Sequence, residues 1–525
     1  MNSNGQQRLL LGDALDRLAV NPTANHLWLH LMQLMRGIAD AELLAEVVHV
    51  LTTLVPDEGL VGFYRATVLD LVTGDPVFLP QACACLQTIA PPDLDRYGAF
   101  YDMAWQRVLL HANSRTEYIR RLKAVGLPQL SLLTGRQLAR YLPAAPAQVS
   151  AEPQLRRVAL VAPHLATPRH PPTQMALDQA RTLIQQGVEV SLFSCQEAMA
   201  PDLRHLLGSG TDTPPLQADL QAWLDSAGAP VKLYLADQRM SLLRRWLDMQ
   251  GQIEAWAPDL VLFVGLHSGL VSALYRRYPV LGMSINSIAP MVPADAWLTA
   301  QNVLADTVSR PWHEEFPESL ACFHPFRVRR QAAAAALPRS SLGIDDDALL
   351  CITMGTHLEV KIGGEWAQRM VTAMQRHPKL IWLLVGGGGS LPPALVELAP
   401  ARLRLQAYTP QAARWLAASD IYLHPPIMGG GFSVAEAMAR GMPVLALADA
   451  DGGDKAGDEA VADLDDYFTR LDALATDPTL RRASGERMRA RFDHALDLAA
   501  SGPSLLAACR QAMQRHRRRI KPPDA

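Results

Sequence analysis

Three consecutive glycines, Gly429, Gly430 and Gly431, stand between an apolar segment and a helix-forming run in HPPIMGGGFSVAEAMARGMPVLAL. The N-terminus of a helix carries unpaired N–H groups and partial positive charge, which suit an anion such as a diphosphate. Glycine also lets the backbone approach a ligand closely and adopt positive φ. The pattern therefore predicts a phosphate-binding helix entrance, to which Ser433 could contribute a cap or a hydroxyl. A tight turn without a ligand is the alternative.

The acidic residue of the predicted helix, Glu436, has two possible roles. It lies in the first turn and a half, where the helix dipole favours a carboxylate, so it could simply stabilise the helix. From the same position it could accept hydrogen bonds from the hydroxyls of a ribose. The local sequence leaves both roles open.

Composition limits the class of protein. The chain has 525 residues, 49% of them apolar, and a formal charge of −3, so it can form several domains and shows no sign of nucleic-acid binding. Its six cysteines lack the spacing of zinc or redox sites, which indicates reduced thiols. The N-terminus lacks the pattern of a signal peptide, and no apolar run reaches the roughly 18 residues of a membrane span. We expect a soluble cytoplasmic protein.

The elements that must position the candidate residues fall into successive regions. Residues 1–145 carry apolar residues at helical spacing, as in LWLHLMQLMRGI, and predict an all-helical domain without a fixed-period repeat. After a proline-rich linker at 142–154, strands and helices alternate over 155–330 and again over 340–495, which predicts parallel sheets with crossover helices. Residues 496–525 are predicted to form a basic helical tail. The expected fold is therefore an all-α domain followed by two Rossmann-like α/β domains with a cleft between them.

Polar residues near the predicted strand ends are further candidates for that cleft. His267 follows an apolar strand in FVGLHSG, and His164 and His170 lie in the first strand-to-helix loop as weaker candidates. A lone histidine is more often incidental than functional. The glycine run VGGGG (385–389) could border a base or a ribose, or be a plain loop.

Two basic clusters, CFHPFRVRRQ and QRHRRRIKPP, are predicted to be solvated surface. Binding of an anionic acceptor or of a membrane face is the lesser possibility.

Residues 420–447, DIYLHPPIMGGGFSVAEAMARGMPVLAL, resemble the nucleotide-sugar-binding segment of GT-B glycosyltransferases, close to the large retaining group called family 4. The match is most specific at EAMARGMPV (436–444). The resemblance implies that Glu436 holds the ribose of the donor and that the glycine-rich entrance, with Phe432, holds the diphosphate. Met428 stands where the family has its first glutamate, which leaves the donor sugar and retention of configuration open.

The resemblance extends more weakly over residues 155 to about 500 and implies roles outside that segment. Lys361 and His357 take roughly the places of a basic pair that offsets the phosphates of the donor. The charge of His357 would depend on pH. Tyr408 lies in the loop that packs near the nucleobase, although a core aromatic is the alternative. His267 matches a histidine that contacts the donor sugar or the acceptor.

These features predict a glycosyltransferase that moves a sugar from a nucleoside diphosphate sugar, with UDP or GDP as the nucleotide, to an acceptor. In the family the helix dipole and basic residues neutralise the leaving diphosphate, so neither a metal nor a cofactor is expected. Helical N-terminal regions also occur in O-GlcNAc transferases and adhesin N-glucosyltransferases, and protein and glycan acceptors are equally open. The alternatives are a non-catalytic nucleotide-binding helical scaffold and a sugar-nucleotide epimerase of the same fold.

Overall fold

The computed structural model describes residues 3–142, 154–167, 170–197, 217–226, 231–286, 288–300, 312–386, 391, 393–398, 401–409 and 411–520. Most of the predicted proline-rich linker and residues 387–389 of the second glycine run lie outside the described residues. None of the described helices combines the length and the apolar content that crossing a membrane requires.

Eight helices form the N-terminal region. They are α1 (Ser3–Val20), α2 (Asn25–Arg36), α3 (Ala41–Leu54), α4 (Gly59–Thr73), α5 (Phe78–Thr88), α6 (Leu94–His111), α7 (Arg115–Val125) and α8 (Leu127–Leu138). Their apolar faces pack into one core around the fully buried Trp28, Phe63 and Phe100. That core continues through Trp246 and Leu270 of the following domain, so the helical region and the first sheet share one hydrophobic interior.

Two glycines make this close packing possible. A Cβ on Gly98 of α6 would overlap the side chain of Leu242, and a Cβ on Gly135 of α8 would overlap Ser272. The helical region therefore contacts the first Rossmann-like domain at helix-to-helix distances that larger residues would not allow.

Seven parallel strands form the first sheet, in the order β3-β2-β1-β4-β5-β6-β7. They are β1 (Arg157–Val161), β2 (Glu189–Ser194), β3 (Lys232–Leu235), β4 (Leu260–Val264), β5 (Val280–Met283), β6 (Ala296–Thr299) and β7 (Leu320–Phe323). Its helices include α9 (Pro171–Gln185), α10 (Gln217–Ser226), α11 (Leu242–Trp256) and α12 (Gly269–Leu274). Strands β1 and β4 are buried on both faces, which explains their unbroken apolar runs.

Five parallel strands form the second sheet, in the order β10-β9-β8-β11-β12. They are β8 (Leu349–Met354), β9 (Leu380–Val385), β10 (Leu403–Gln406), β11 (Ile421–Leu423) and β12 (Val444–Leu445). The helices of this domain are α13 (Leu358–Lys361), α14 (Gly364–Arg376), α15 (Ala412–Ala418), α16 (Gly431–Ala439), α17 (Asp451–Ala456), α18 (Leu464–Thr476) and α19 (Pro478–Ala495). The predicted fold class, a helical region followed by two Rossmann-like domains, is confirmed.

The last described helix, α20 (Gly502–Ile520), returns to the first domain and packs on β5, β6 and α9. Arg519 Nε donates to Asp295 Oδ1 at 2.9 Å, and the side chain of Asp295 is only 1% exposed. The prediction that this basic tail is solvated surface is wrong for Arg519, which pairs with a buried carboxylate, whereas Gln514 and Arg518 are exposed.

The other basic cluster is also partly buried. Arg327 is 7% exposed, and its guanidinium donates to the carbonyl oxygens of Phe326 and Leu298 at 3.0 and 3.3 Å. Backbone carbonyls of the first domain therefore hold this arginine, which corrects the prediction of a solvated surface there.

Candidate functional site

The three glycines open helix α16 directly after β11, at the carboxyl edge of the second sheet. Gly429 and Gly430 have φ values of +96° and +86°, in the left-handed region that favours glycine. Gly431 is needed for another reason: a Cβ there would lie 2.7 Å from Asp451 Oδ2 and 2.9 Å from Lys455 Cε. The first two glycines therefore set the backbone of the turn, and the third makes room for side chains of the protein itself.

Lys361 lies at this entrance, as predicted from the sequence. Its Nζ donates to the carbonyl oxygen of Met428 at 3.2 Å and would be 3.5 Å from a Cβ on Gly429. Burial lowers the pKa of Lys361, and the nearby Asp451 carboxylate opposes that shift. The structure thus brings one ammonium group to the turn that precedes the helix.

A carboxylate of the protein already contacts the helix N-terminus. The N–H of Gly431 donates to Asp451 Oδ2 at 2.9 Å, and Lys455 Nζ lies 3.5 Å from Asp451 Oδ1. The first N–H groups of a helix lack intrahelical partners. Because Asp451 accepts from the N–H of Gly431, the N–H groups of Phe432 and Ser433 are the next that can face a ligand. The sequence singles out neither Asp451 nor Lys455: the acidic run 449–459 that holds them follows a strand and could contact a donor or be a simple loop.

His424, the residue that follows β11, fixes the shape of the glycine turn. Its Nε2 lies 3.0 Å from the carbonyl oxygen of Gly429, and a Cβ on Gly452 would come within 2.6 Å of its ring. Burial lowers the pKa of His424, so the neutral ring is favoured. The sequence analysis did not single out this histidine, because its only distinguishing feature is its place at a strand end before two prolines.

Glu436 lies further along α16, about 7.5 Å beyond Gly431 along the helix axis at 1.5 Å per residue. It lines a cavity of about 620 Å³ together with Arg440, Leu416 and residues of the segment 328–333, which joins the two Rossmann-like domains and is called the interdomain linker. Burial raises the pKa of Glu436, and Arg440 opposes the shift. The structure does not bring Glu436 into contact with Lys361, and its role toward a ribose stays a prediction.

The other predicted donor residues have different environments. Phe432 is partly buried and packs against the cores of both Rossmann-like domains, so its ring joins the two. Tyr408 follows β10 and is 67% exposed, which rules out the alternative of a core aromatic. His357 has φ +57° and a side chain that is 62% exposed, 3.8 Å from Glu359. A non-glycine residue in this conformation is strained, which is common in ligand-binding loops.

His267 lies against the helical region instead of facing an open cleft. Its ring stacks on Tyr101 of α6 with centroids 3.8 Å apart, and its Nδ1 lies 2.6 Å from Ser131 Oγ of α8. Ser131 donates its proton to the carbonyl oxygen of Met291 at 2.5 Å, so it accepts from His267 and the ring proton is on Nδ1. Burial lowers the pKa of His267 to about 3, so the ring is neutral. Its Nε2 has no partner among the described residues and is left as an acceptor.

The histidines of the first loop of this sheet are close together. The rings of His164 and His170 are 6.2 Å apart, and burial lowers the pKa of His170 to about 4. Both are therefore favoured as neutral side chains.

Another buried acid, Glu197, follows β2 at the same edge. It accepts from Ser268 Oγ at 2.6 Å, and burial raises its pKa to about 7. It was not predicted from the sequence, since a single glutamate after a strand gives no pattern.

Helix α7 of the helical region closes over the site of the second sheet. The N–H of Arg115 donates to the carbonyl oxygen of Asp449 at 2.6 Å, and Thr116 Oγ1 donates to Asp449 Oδ1 at 3.1 Å. Met428, 1% exposed, belongs to the core that the helical region shares with the first domain. The position where the resemblance would place a glutamate is thus a core position in this chain.

A helical region, two Rossmann-like sheets and a last helix that returns to the first sheet together define a GT-B fold. The structure is similar to that of a mutant O-GlcNAc transferase from Thermobaculum terrenum, with a TM-score of 0.59, 16% identity and 99% of both chains covered. It is also similar to a glycosyltransferase from Rickettsia africae, with a TM-score of 0.50 and 11% identity over 68% of this chain and 99% of that one. No protein-family profile and no curated protein sequence matches the chain. At these identities the likeness establishes the fold, which in the first case includes the helical region.

Proposed function

We propose that this protein is a glycosyltransferase that moves a sugar from a nucleoside diphosphate sugar, with UDP or GDP as the nucleotide, to a protein or glycan acceptor. The observation that supports this most is the approach of Lys361 to the glycine turn of α16, where Nζ lies 3.5 Å from the position of a Cβ on Gly429. A cation and a helix N-terminus at one sheet edge suit a diphosphate.

The chemistry follows from where negative charge develops. In the transfer, the acceptor oxygen or nitrogen bonds to the anomeric carbon as the bond between that carbon and the diphosphate breaks. The diphosphate leaves with the bonding electrons and takes up the proton that the acceptor loses. The ammonium of Lys361 and the N–H groups of Phe432 and Ser433 would stabilise that charge, which is the largest contribution that such a site can make.

The acceptor would approach between the two sheets, beside the helical region. Tyr101 and Ser131 of that region cover His267, and Arg115 contacts the loop after β12. The helical region therefore supplies one wall of the proposed acceptor path. Because the similar Thermobaculum protein is an O-GlcNAc transferase, N-acetylglucosamine is among the sugars to be tried first.

The test is release of nucleoside diphosphate from a panel of UDP- and GDP-sugars by the intact protein, followed by phosphorus NMR. Lys361→Met is expected to lower transfer by at least about 100-fold, the usual loss when one charge-stabilising group is removed. Lys379→Met is the matched control, because Lys379 is exposed and pairs with Asp347 at 2.5 Å away from the entrance.

Other outcomes separate the alternatives. Binding without release of diphosphate would favour the nucleotide-binding scaffold. Conversion of one sugar nucleotide into another without an acceptor would favour the epimerase. If no sugar nucleotide binds at millimolar concentration, the proposed function is wrong.

Two finer assignments are proposals of the same kind. Membership of family 4 depends on the sequence resemblance of residues 420–447. A cytoplasmic location is supported by the six cysteines, all of which are free thiols in the structure, because disulfides are rare in reducing compartments.

A further inference from the structure

An arginine-rich cavity lies on the far side of α16 from the glycine turn. Its volume is about 620 Å³, within the range of small-molecule sites in proteins. It is enclosed by the linker residues 328–333, the C-terminal parts of α15 and α16, and α19. Six arginines line it, against two carboxylates, Asp420 and Glu436: Arg329, Arg330, Arg440, Arg481, Arg482 and Arg489.

Three of these arginines have protein partners. Arg329 Nε lies 3.1 Å from Asp178 Oδ1. Arg330 pairs with Asp493 and donates to the carbonyl oxygen of Ala439 at 2.9 Å. Arg481 donates to the carbonyl oxygens that end α18.

The other three arginines give the cavity its excess charge. Within the described part of the chain, no hydrogen bond or ion pair joins the side chains of Arg440, Arg482 or Arg489 to a protein acceptor. Two guanidinium nitrogens in the lining, Arg440 Nε and Arg329 Nη2, are buried without a partner among the described residues. A buried N–H without an acceptor is unfavourable, so these groups favour a ligand that brings oxygen atoms.

We propose that this cavity is a second anion site, which binds a small molecule carrying phosphate groups. One guanidinium can donate two parallel hydrogen bonds to a phosphate. Arg482 and Arg489 have no carboxylate partner among the described residues, and Arg440 has only the nearby Glu436, so their combined charge exceeds what one monovalent anion needs. Arg482 and Arg489 are exposed at its rim, so the ligand can enter from solvent. The cavity lies between the interdomain linker and α16, so a ligand bound there would contact both.

The cavity is distinct from the glycine turn and Lys361, but it is lined by Glu436, the predicted ribose ligand, so the experiment must separate the two sites. Equilibrium dialysis of radiolabelled inorganic pyrophosphate is carried out on the intact Lys361→Met protein, in which the glycine turn has lost the ammonium of Lys361 and keeps that of Lys455, which is paired with Asp451. We expect this variant to retain one pyrophosphate site. Adding Arg482→Gln and Arg489→Gln should weaken binding there by at least tenfold, whereas adding Glu436→Gln should strengthen it because a repelling carboxylate is removed.

The matched control adds Arg120→Gln and Arg510→Gln, two exposed arginines on other helices, and should leave the affinity unchanged. Since all four arginines are exposed, circular dichroism should show the same folded content in each protein. The proposal is overturned if the Lys361→Met protein binds no pyrophosphate. It is equally overturned if the Arg482→Gln and Arg489→Gln protein binds as tightly as the control.

Discussion

At the scale of single residues, the most unexpected group is Asp451. Its carboxylate accepts from the N–H of Gly431 at 2.9 Å, in the position where an anionic ligand would benefit from the helix dipole. It also lies near Lys361 and Lys455, whose ammonium groups it helps to keep charged. The protein thus places one negative charge beside the proposed diphosphate site.

Asp451→Asn should therefore raise the affinity for nucleoside diphosphates. Removing a like charge a few ångströms from a phosphate is expected to strengthen binding roughly 5- to 10-fold. Calorimetric titration with UDP and GDP measures this. Asp458→Asn, an exposed acid in the same segment, is the control, and equal affinities for the two variants would contradict the prediction.

Glu197 carries a pH-dependent prediction. Burial raises its pKa from 4.5 to about 7, so between those pH values the folded protein holds a proton that the unfolded chain has lost. The native state binds more protons there, and the free energy of unfolding falls as pH rises. Since one pKa unit corresponds to about 1.4 kcal/mol, the loss by pH 8 is about 3 kcal/mol.

Glu197→Gln should remove most of this dependence, because the amide stays neutral. Urea unfolding of both proteins at pH 5 and pH 8 provides the comparison. Glu189→Gln, at the start of β2 with a side chain that is 62% exposed, should keep the wild-type dependence. Identical pH slopes for wild type and Glu197→Gln would show that the acid is not held protonated.

At the scale of the element, helix α16 depends on its glycine turn. Gly430→Ala puts a Cβ at φ +86°, 3.3 Å from His424 Nε2. Left-handed backbone disfavours a non-glycine residue by roughly 1–2 kcal/mol, so the first turn of α16 should open more often. Hydrogen exchange of the Val434 and Ala435 amides measures that opening. Gly363→Ala is the control, since its Cβ would meet nothing within 4 Å, and faster exchange there as well would contradict this account.

At the scale of the whole molecule, α20, the last described helix, packs on the first domain. Arg519 lies 2.9 Å from Asp295, and the side chain of Asp295 is 1% exposed. Arg519→Met would leave that carboxylate buried without its cation, which usually costs about 3–5 kcal/mol. Thermal unfolding should show a clear loss for Arg519→Met and little change for the exposed Arg518→Met. Equal melting temperatures would mean that another group compensates for the arginine.

The helical region acts on the whole molecule through shared contacts. It contributes to one core with the first domain, stacks Tyr101 on His267 and contacts the second domain through Arg115. Because the helical region contacts both Rossmann-like domains, it helps to fix the position of one domain relative to the other.

The amino-acid sequence determined the layout of the chain. Long apolar runs in β1, β4, β8 and β9 and the alternation of strands with helices gave the fold class, because central parallel strands are buried on both faces. The sequence analysis did not predict strands β3, β6 and β7. Each has only four residues and lies at or next to a sheet edge, so its apolar pattern is too short to indicate a strand. The glycine turn was found because a strong local motif marks it, whereas Lys361 came from the weaker resemblance outside that segment.

Only the tertiary structure decided which side chains meet. Asp451 and His424 reach the glycine turn from other segments, and no local spacing in the sequence records such contacts. His267 was expected at the cleft, but helices more than 130 positions earlier in the chain bury it and keep it neutral. Local sequence sets the elements through periodicity and backbone preference, whereas burial and charge at a site are set by residues that are distant in the chain.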